Sequence, residues 1–183
     1  MTVIDHPTRN RLAAEANDGA EANDGAEAGV HEPEASAPGS VTVRAWWDPG
    51  LAERGFEPRS SYAERYWLGV LGPSALFLMR RLARGLEEHP AGFRIQLADT
   101  ARAIGLGGGT GRQSPISRTI DRCCMFGAMR RTGPDQLEVR THLPPLTRRQ
   151  LERLPLAVRR SHDAFLAHPA NGAPGHSPGP GAA

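Results

Sequence analysis

LADTARAIGLGGGTGRQSPISRTIDRCCMFGAMRRTGPDQLEVRTHL, residues 97–143, is the stretch whose reading decides the fold. Leu97, Ala101 and Ile104 recur at helical spacing, and Gly105 follows four residues after Ala101. A small residue on the inner face permits close helix approach, and a glycine tolerates the positive φ needed to leave a helix. After a glycine loop, Ser114 and Pro115 supply an N-cap and a first helical residue for a second helix running to about Phe126. Residues 128–132 and 136–143 then read as two strands about the turn Gly133-Pro134-Asp135, with Leu137, Val139, Thr141 and Leu143 alternating with polar neighbours. The order is helix, loop, helix, hairpin.

On a 3.6-residue wheel the second helix turns Ile116, Ile120, Cys123 and Gly127 inward. Arg118, Asp121, Arg122 and Met125 fall opposite, and Gln113, Ser114 and Ser117 lie at the N-terminal end. An exposed helix with hydrogen-bonding groups on its first turns and outward stripe can enter a DNA groove. Arg130, Arg131 and Arg140 on the hairpin are placed to meet phosphates or a minor groove, with Glu138 opposing them. The competing reading of the same stripe is a solvated face with arginines paired to Asp121.

Working outward, Ser61 and Glu64 match a capping box, and helical periodicity runs from Tyr66 to Glu88 with a break at Gly72-Pro73. Residues 61–88 are therefore one broken helix or two stacked ones. Thr147 and Gln150 form a second capping box, and Pro155 splits the helix that follows toward His168. Arginines 148, 149, 153, 159 and 160 line its polar side. The Trp46-Trp47 pair lies in a linker or anchor at 44–58, expected to pack back on the core. Residues 1–43, with their imperfect AEANDG hexad, and 169–183 offer few large apolar side chains and read as disordered tails. The domain is expected over 59–168.

All 22 basic residues are arginine. Every cation is thus a planar, permanently charged fork suited to phosphate or guanine. The net charge of +2 hides an asymmetry: two arginines against eight acids give −6 over 1–43, and 18 against nine give +9 over 59–169. An acidic tail on a basic domain suits a nucleic-acid binder. The two cysteines, Cys123 and Cys124, are adjacent, which disfavours a disulfide framework or a zinc tetrad. Gly107-Gly108-Gly109-Thr110-Gly111 lacks the lysine and preceding strand of a phosphate loop. No triad, paired carboxylates or metal-ligand spacing is present, so the expectation is no enzyme, no cofactor and no metal. The sequence shows no membrane-length apolar run and no secretory signal, so the expected location is cytoplasmic, nucleoid-associated if DNA is bound.

Residues 97–143 resemble the winged helix-turn-helix superfamily of bacterial transcription regulators. Over about 46–165 the chain also looks like a group of uncharacterised actinobacterial proteins, through YWLGVLGPSALFLMRRL, SPISRTIDR and LPPLTRRQLERLP. The resemblance implies a mainly α fold with a small β-hairpin, extra N- and C-terminal helices, a recognition helix at 115–126 and a wing at 128–143. It departs from the superfamily in the long loop 107–113. The function it implies is double-stranded DNA binding by a transcriptional regulator, with Gln113, Ser114, Ser117, Arg118, Asp121, Arg122, Arg130, Arg131 and Arg140 at the interface. A homodimer through helices 61–88 and 147–168 would accompany it. The alternative is a non-enzymatic protein–protein interaction module on the same scaffold.

Overall fold

The structure, a computed structural model, describes residues 39–167. The expectations for the acidic tail up to residue 38 and the Gly/Pro tail from 168 lie outside the described residues. Among the described residues the chain forms seven α-helices, one π-helical turn and one four-stranded sheet, a mixed α/β arrangement.

The sheet corrects the expectation of a hairpin alone. Strand β1 (Ser40–Ala45) buries Val41 and Val43 and turns Thr42 and Arg44 outward, the period-two habit of β-branched residues. It lies between β2 (Phe93–Gln96), antiparallel to it, and β4 (Gln136–Val139), parallel to it; β3 (Met129–Gly133) closes the far edge against β4. The register pairs Val41 with Ile95 and Val43 with Leu137. Residues 40–43, assigned to the tail by their surroundings, are therefore part of the sheet. Four-residue alternations such as Phe93 to Gln96 carry no decisive signal alone, because pairing with a distant strand fixes them.

Strand β4 also stops earlier than its alternation suggests. Beyond Val139 the Arg140 amide bonds the Ala128 carbonyl at 3.0 Å, and Leu143 exchanges two 2.8 Å backbone bonds with Phe56. Phe56 follows a short helix, α1 (Pro49–Arg54), where the sequence suggested only a linker.

The long helical stretch breaks as its punctuation predicts. A π-helical turn (Ala63–Trp67) runs into α2 (Leu68–Leu71), Gly72 breaks the chain at φ 81°, and α3 (Pro73–Glu88) starts on its proline. The cap is Ser60 rather than Ser61: the Ser60 hydroxyl accepts the Ala63 amide at 3.3 Å and its carbonyl the Glu64 amide at 3.2 Å. Ser61 is exposed, so the S-x-x-E match is one residue out of register. Helix α3 lays Ala75, Leu78, Met79 and Leu82 against the sheet and the following helices.

The C-terminal helices α6 (Arg148–Leu151) and α7 (Leu156–Ala167) are separated at Pro155, and Thr147 with Gln150 forms a full capping box. Helix α7 docks on the π turn through an aromatic cluster. Tyr62 stacks on Phe56 at 3.7 Å between ring centres, and Tyr66 and Phe165 pack beside it. The Tyr62 hydroxyl accepts the Leu146 amide at 2.8 Å and lies 2.8 Å from His162 Nε2. The Tyr66 hydroxyl donates to the Ser161 carbonyl, and the Trp67 indole to the Pro144 carbonyl, both at 2.9 Å. Helix α7 thus docks on the π-helical turn, while the apolar face of α3 packs against the sheet and α5.

Burial raises the Tyr62 phenol from its ordinary 10.0 to about 12, and Cys123 from 9.0 to about 12. In the unfolded chain both release their protons earlier. Their contribution to stability is complete below about pH 9 and is lost as pH climbs toward 12. Chemical denaturation between pH 8 and 11.5 should show this decline, and Tyr62→Phe should make it shallower. At neutral pH the same variant should cost about 1–3 kcal/mol, because the Leu146 amide loses its buried acceptor.

Candidate nucleic-acid interface

Helix α4 (Leu97–Ala103) ends as its spacing predicts: Gly105 adopts φ 77°, and the Leu106 amide turns back to the Ala101 carbonyl at 2.8 Å. Ala101 is fully buried, which lets α5 (Pro115–Met125) approach α4. The loop between them, 104–114, is tied down at its far end. The Ser114 amide bonds the Gly111 carbonyl at 2.8 Å, and the Ser117 hydroxyl donates to that carbonyl at 3.0 Å. The length of the loop therefore leaves α5 seated, with Ile116, Ile120 and Cys123 buried against α3 and α4.

Ser114 caps α5 by accepting the Ser117 amide at 3.3 Å. Both serines are half-buried and engaged with each other and the loop, which makes them helix-start residues first. Gln113 is exposed, as is Arg118 one turn into the helix. The Arg118 side chain makes no hydrogen bond or ion pair among the described residues. Neither does Arg112, an exposed loop residue beside Gln113 that the helix-wheel argument missed because it precedes the cap.

The other arginines divide by partner. Arg122 donates to the carbonyls of Leu71 and Val70 at 2.5 and 2.6 Å, closing the C-terminal end of α2, and lies over the Phe126 ring. Its fork is thus engaged within the fold at a position where the sequence suggests a DNA contact. Arg131 pairs with Asp121 at 2.9 Å, tying hairpin to helix, with both side chains half-exposed. Arg130 pairs with Glu138 at 2.5 Å across the hairpin.

Arg140 is the most enclosed, its side chain only 16% exposed. It donates to the Gly127 carbonyl at 2.9 Å and to Asp48 Oδ2 at 2.8 Å, and lies 3.7 Å from the centre of the Trp46 ring. Arg130 also approaches that ring, at 4.5 Å. Hydrogen bonding from Arg140 holds the Asp48 carboxyl below its ordinary range, while the other Asp48 oxygen accepts the Leu51 amide and caps α1. Arg140 is a structural clamp within the fold, at a position where the sequence suggests a phosphate contact. Trp46 packs back as expected; Trp47 does not, and stands 70% exposed.

Beside α5 an open groove of about 610 Å³ runs along the α2–α3 corner, with Arg118, Met125 and Leu106 among its walls. Burial pushes the Cys123 and Cys124 thiols up, and Cys123 sits 3.9 Å from the Ala75 carbonyl. Among the described residues no group of three His, Cys, Asp or Glu side chains could hold a metal ion, and no helix is long and apolar enough to cross a membrane. Comparison with protein-family models, with curated proteins and with solved structures finds no match for the chain.

The division of arginines has a direct test. Arg140→Ala should destabilise the fold by about 2 kcal/mol through the lost Gly127 hydrogen bond and Trp46 stacking. Arg118→Ala should stay within about 0.5 kcal/mol of wild type. Urea denaturation of the two variants separates them.

Proposed function

We propose that the protein is a winged helix-turn-helix transcriptional regulator that binds double-stranded DNA, with α5 as the recognition helix and the β3–β4 hairpin as the wing. The observation that carries this reading is Arg118. It is exposed on the outward stripe of a well-capped helix, its side chain without a hydrogen-bond or ion-pair partner among the described residues, and Gln113 and Arg112 are exposed just before the helix cap. An unpaired guanidinium at the start of an exposed helix suits guanine edges or phosphate. Arg130 and Arg131, held in surface pairs, form an outer ring that phosphate can recruit. Gln113, Arg112 and Arg118 are the inner contacts, and Ser114, Ser117 and Asp121 position them. A nucleoid-associated location follows from this reading.

A homodimer belongs to the same proposal. Its surface is what the intramolecular docking of α7 leaves uncovered, including Leu68, Leu156 and Leu166. Sedimentation at micromolar concentration should give twice the 19.7 kDa chain mass. A monomeric mass removes the dimer from the proposal.

The second reading, a non-enzymatic protein–protein interaction module, is favoured by Trp47, whose ring is exposed beside the clamped Trp46. Fluorescence anisotropy with random-sequence duplex, titrated across salt, distinguishes the two. On the DNA reading, affinity falls steeply as salt rises, and Arg112→Ala and Arg118→Ala each reduce the log–log slope by about 1. Absence of binding at low salt, with partner capture lost in Trp47→Ala, decides for the interaction module.

A further inference from the structure

The groove beside α5 has a charge pattern that selects a ligand. Three charged side chains line it: Arg118, Asp121 and Arg122. Asp121 is neutralised by Arg131, and the Arg122 fork is engaged by the Val70 and Leu71 carbonyls. Those neutral carbonyls occupy two of the Arg122 nitrogens without cancelling its charge, so among the described residues Arg118 is the groove cation whose whole fork is without a partner. The rest of the wall is largely aliphatic. Met125 is 76% exposed there with Pro73 and Leu106 nearby, and no aromatic ring lines the groove. A space of about 610 Å³ fits a small organic molecule.

We propose that this groove binds small amphipathic monoanions, an aliphatic carboxylate above all, and that the ligand competes with DNA for α5. The carboxylate meets the Arg118 fork, whose two parallel N–H groups match its geometry. The alkyl body lies along Pro73, Leu106 and Met125 and removes their apolar surface from water. Among the described residues only the Arg118 fork is fully open, which suits one carboxylate better than a polyanion that needs several open donor groups. The absence of an aromatic platform disfavours nucleotides, whose bases bind by stacking. A ligand seated on Arg118 occupies the same guanidinium that the DNA reading requires. That competition rests on the DNA reading; the groove's ligand preference does not.

Calorimetric titration of the full chain with decanoate below its micelle concentration tests the first half, with decylammonium as the charge-reversed comparison. Saturable one-to-one binding of decanoate but not of decylammonium is expected. Arg118→Gln should weaken it at least tenfold and Met125→Ser several-fold. Arg81→Gln, which removes an exposed arginine on α3 outside the groove, should leave it unchanged. Absence of saturable binding, equal binding by Arg118→Gln, or an equal loss in Arg81→Gln overturns the site.

Duplex anisotropy at fixed salt tests the second half, with decanoate expected to release bound DNA. Retention of DNA at saturating decanoate overturns the competition and leaves the site standing. Failure of the duplex to bind in the absence of ligand is instead the failure of the DNA reading, with the calorimetry still deciding the groove.

Discussion

The guanidinium of Arg140 joins parts of the chain that are remote in sequence. It stacks on Trp46 at the end of β1, bonds Asp48 at the cap of α1, and bonds the Gly127 carbonyl where α5 turns into the hairpin. The neighbouring backbone makes the same junction, since the Trp46 amide bonds the Val139 carbonyl at 2.8 Å and the Arg140 amide the Ala128 carbonyl. Because β1 separates β2 from β4, the position of the hairpin relative to the rest of the sheet depends on this corner. A residue with one flexible ammonium could not hold an aromatic face, a carboxylate and a carbonyl in fixed directions together. The corner therefore sets where β3 lies beside α5, and through Asp121 and Arg131 how the helix meets the hairpin.

Features legible in the sequence are those governed by near neighbours. Ala101 with Gly105, Ser114 with Pro115, Thr147 with Gln150, and the break at Gly72-Pro73 each act within one or two helical turns, and each lies where its chemistry places it. The Ser60 cap shows the limit of the same logic, because two adjacent serines offer the same hydroxyl and the local box selects the wrong one. Strands β1 and β2 were not legible. Their pairing partners lie more than fifty residues apart, and Val41 to Val43 borders a stretch whose composition speaks for a tail. Helix faces were legible while the partners of the side chains were not. The wheel turns Arg118 and Arg122 to one side, yet only the position of the α2 carbonyls commits Arg122 to a cap.

That distinction orders the arginines by how readily they can meet another anion. Among the described residues the Arg112 and Arg118 side chains have no hydrogen bond or ion pair to exchange. Arg130 and Arg131 belong to surface ion pairs, which contribute at most about 1 kcal/mol and yield to a competing phosphate. Arg122 and Arg140 donate to backbone carbonyls in part-buried settings, where removing the fork leaves acceptors without a partner. On the DNA-binding reading, affinity then has two layers. A small inner set binds without rearrangement, and an outer set joins only if phosphate outcompetes Asp121 or Glu138.

Asp121 has a specific part in that arrangement. It stands on the outward face of α5 between Arg118 and Met125, where an isolated carboxylate would repel phosphate. Paired with Arg131 it is neutral and keeps the hairpin against the helix. On the DNA-binding reading, phosphate that took Arg131 would free this carboxylate, which would then accept the amino group of cytosine but repel the acceptor edges of guanine. On that reading the same residue would act against non-specific binding, which draws on phosphate alone, and would favour sites that present a donor to it. For a DNA binder whose cations are all arginine, such a restraint would matter, because every exposed fork would otherwise bind any phosphate it met.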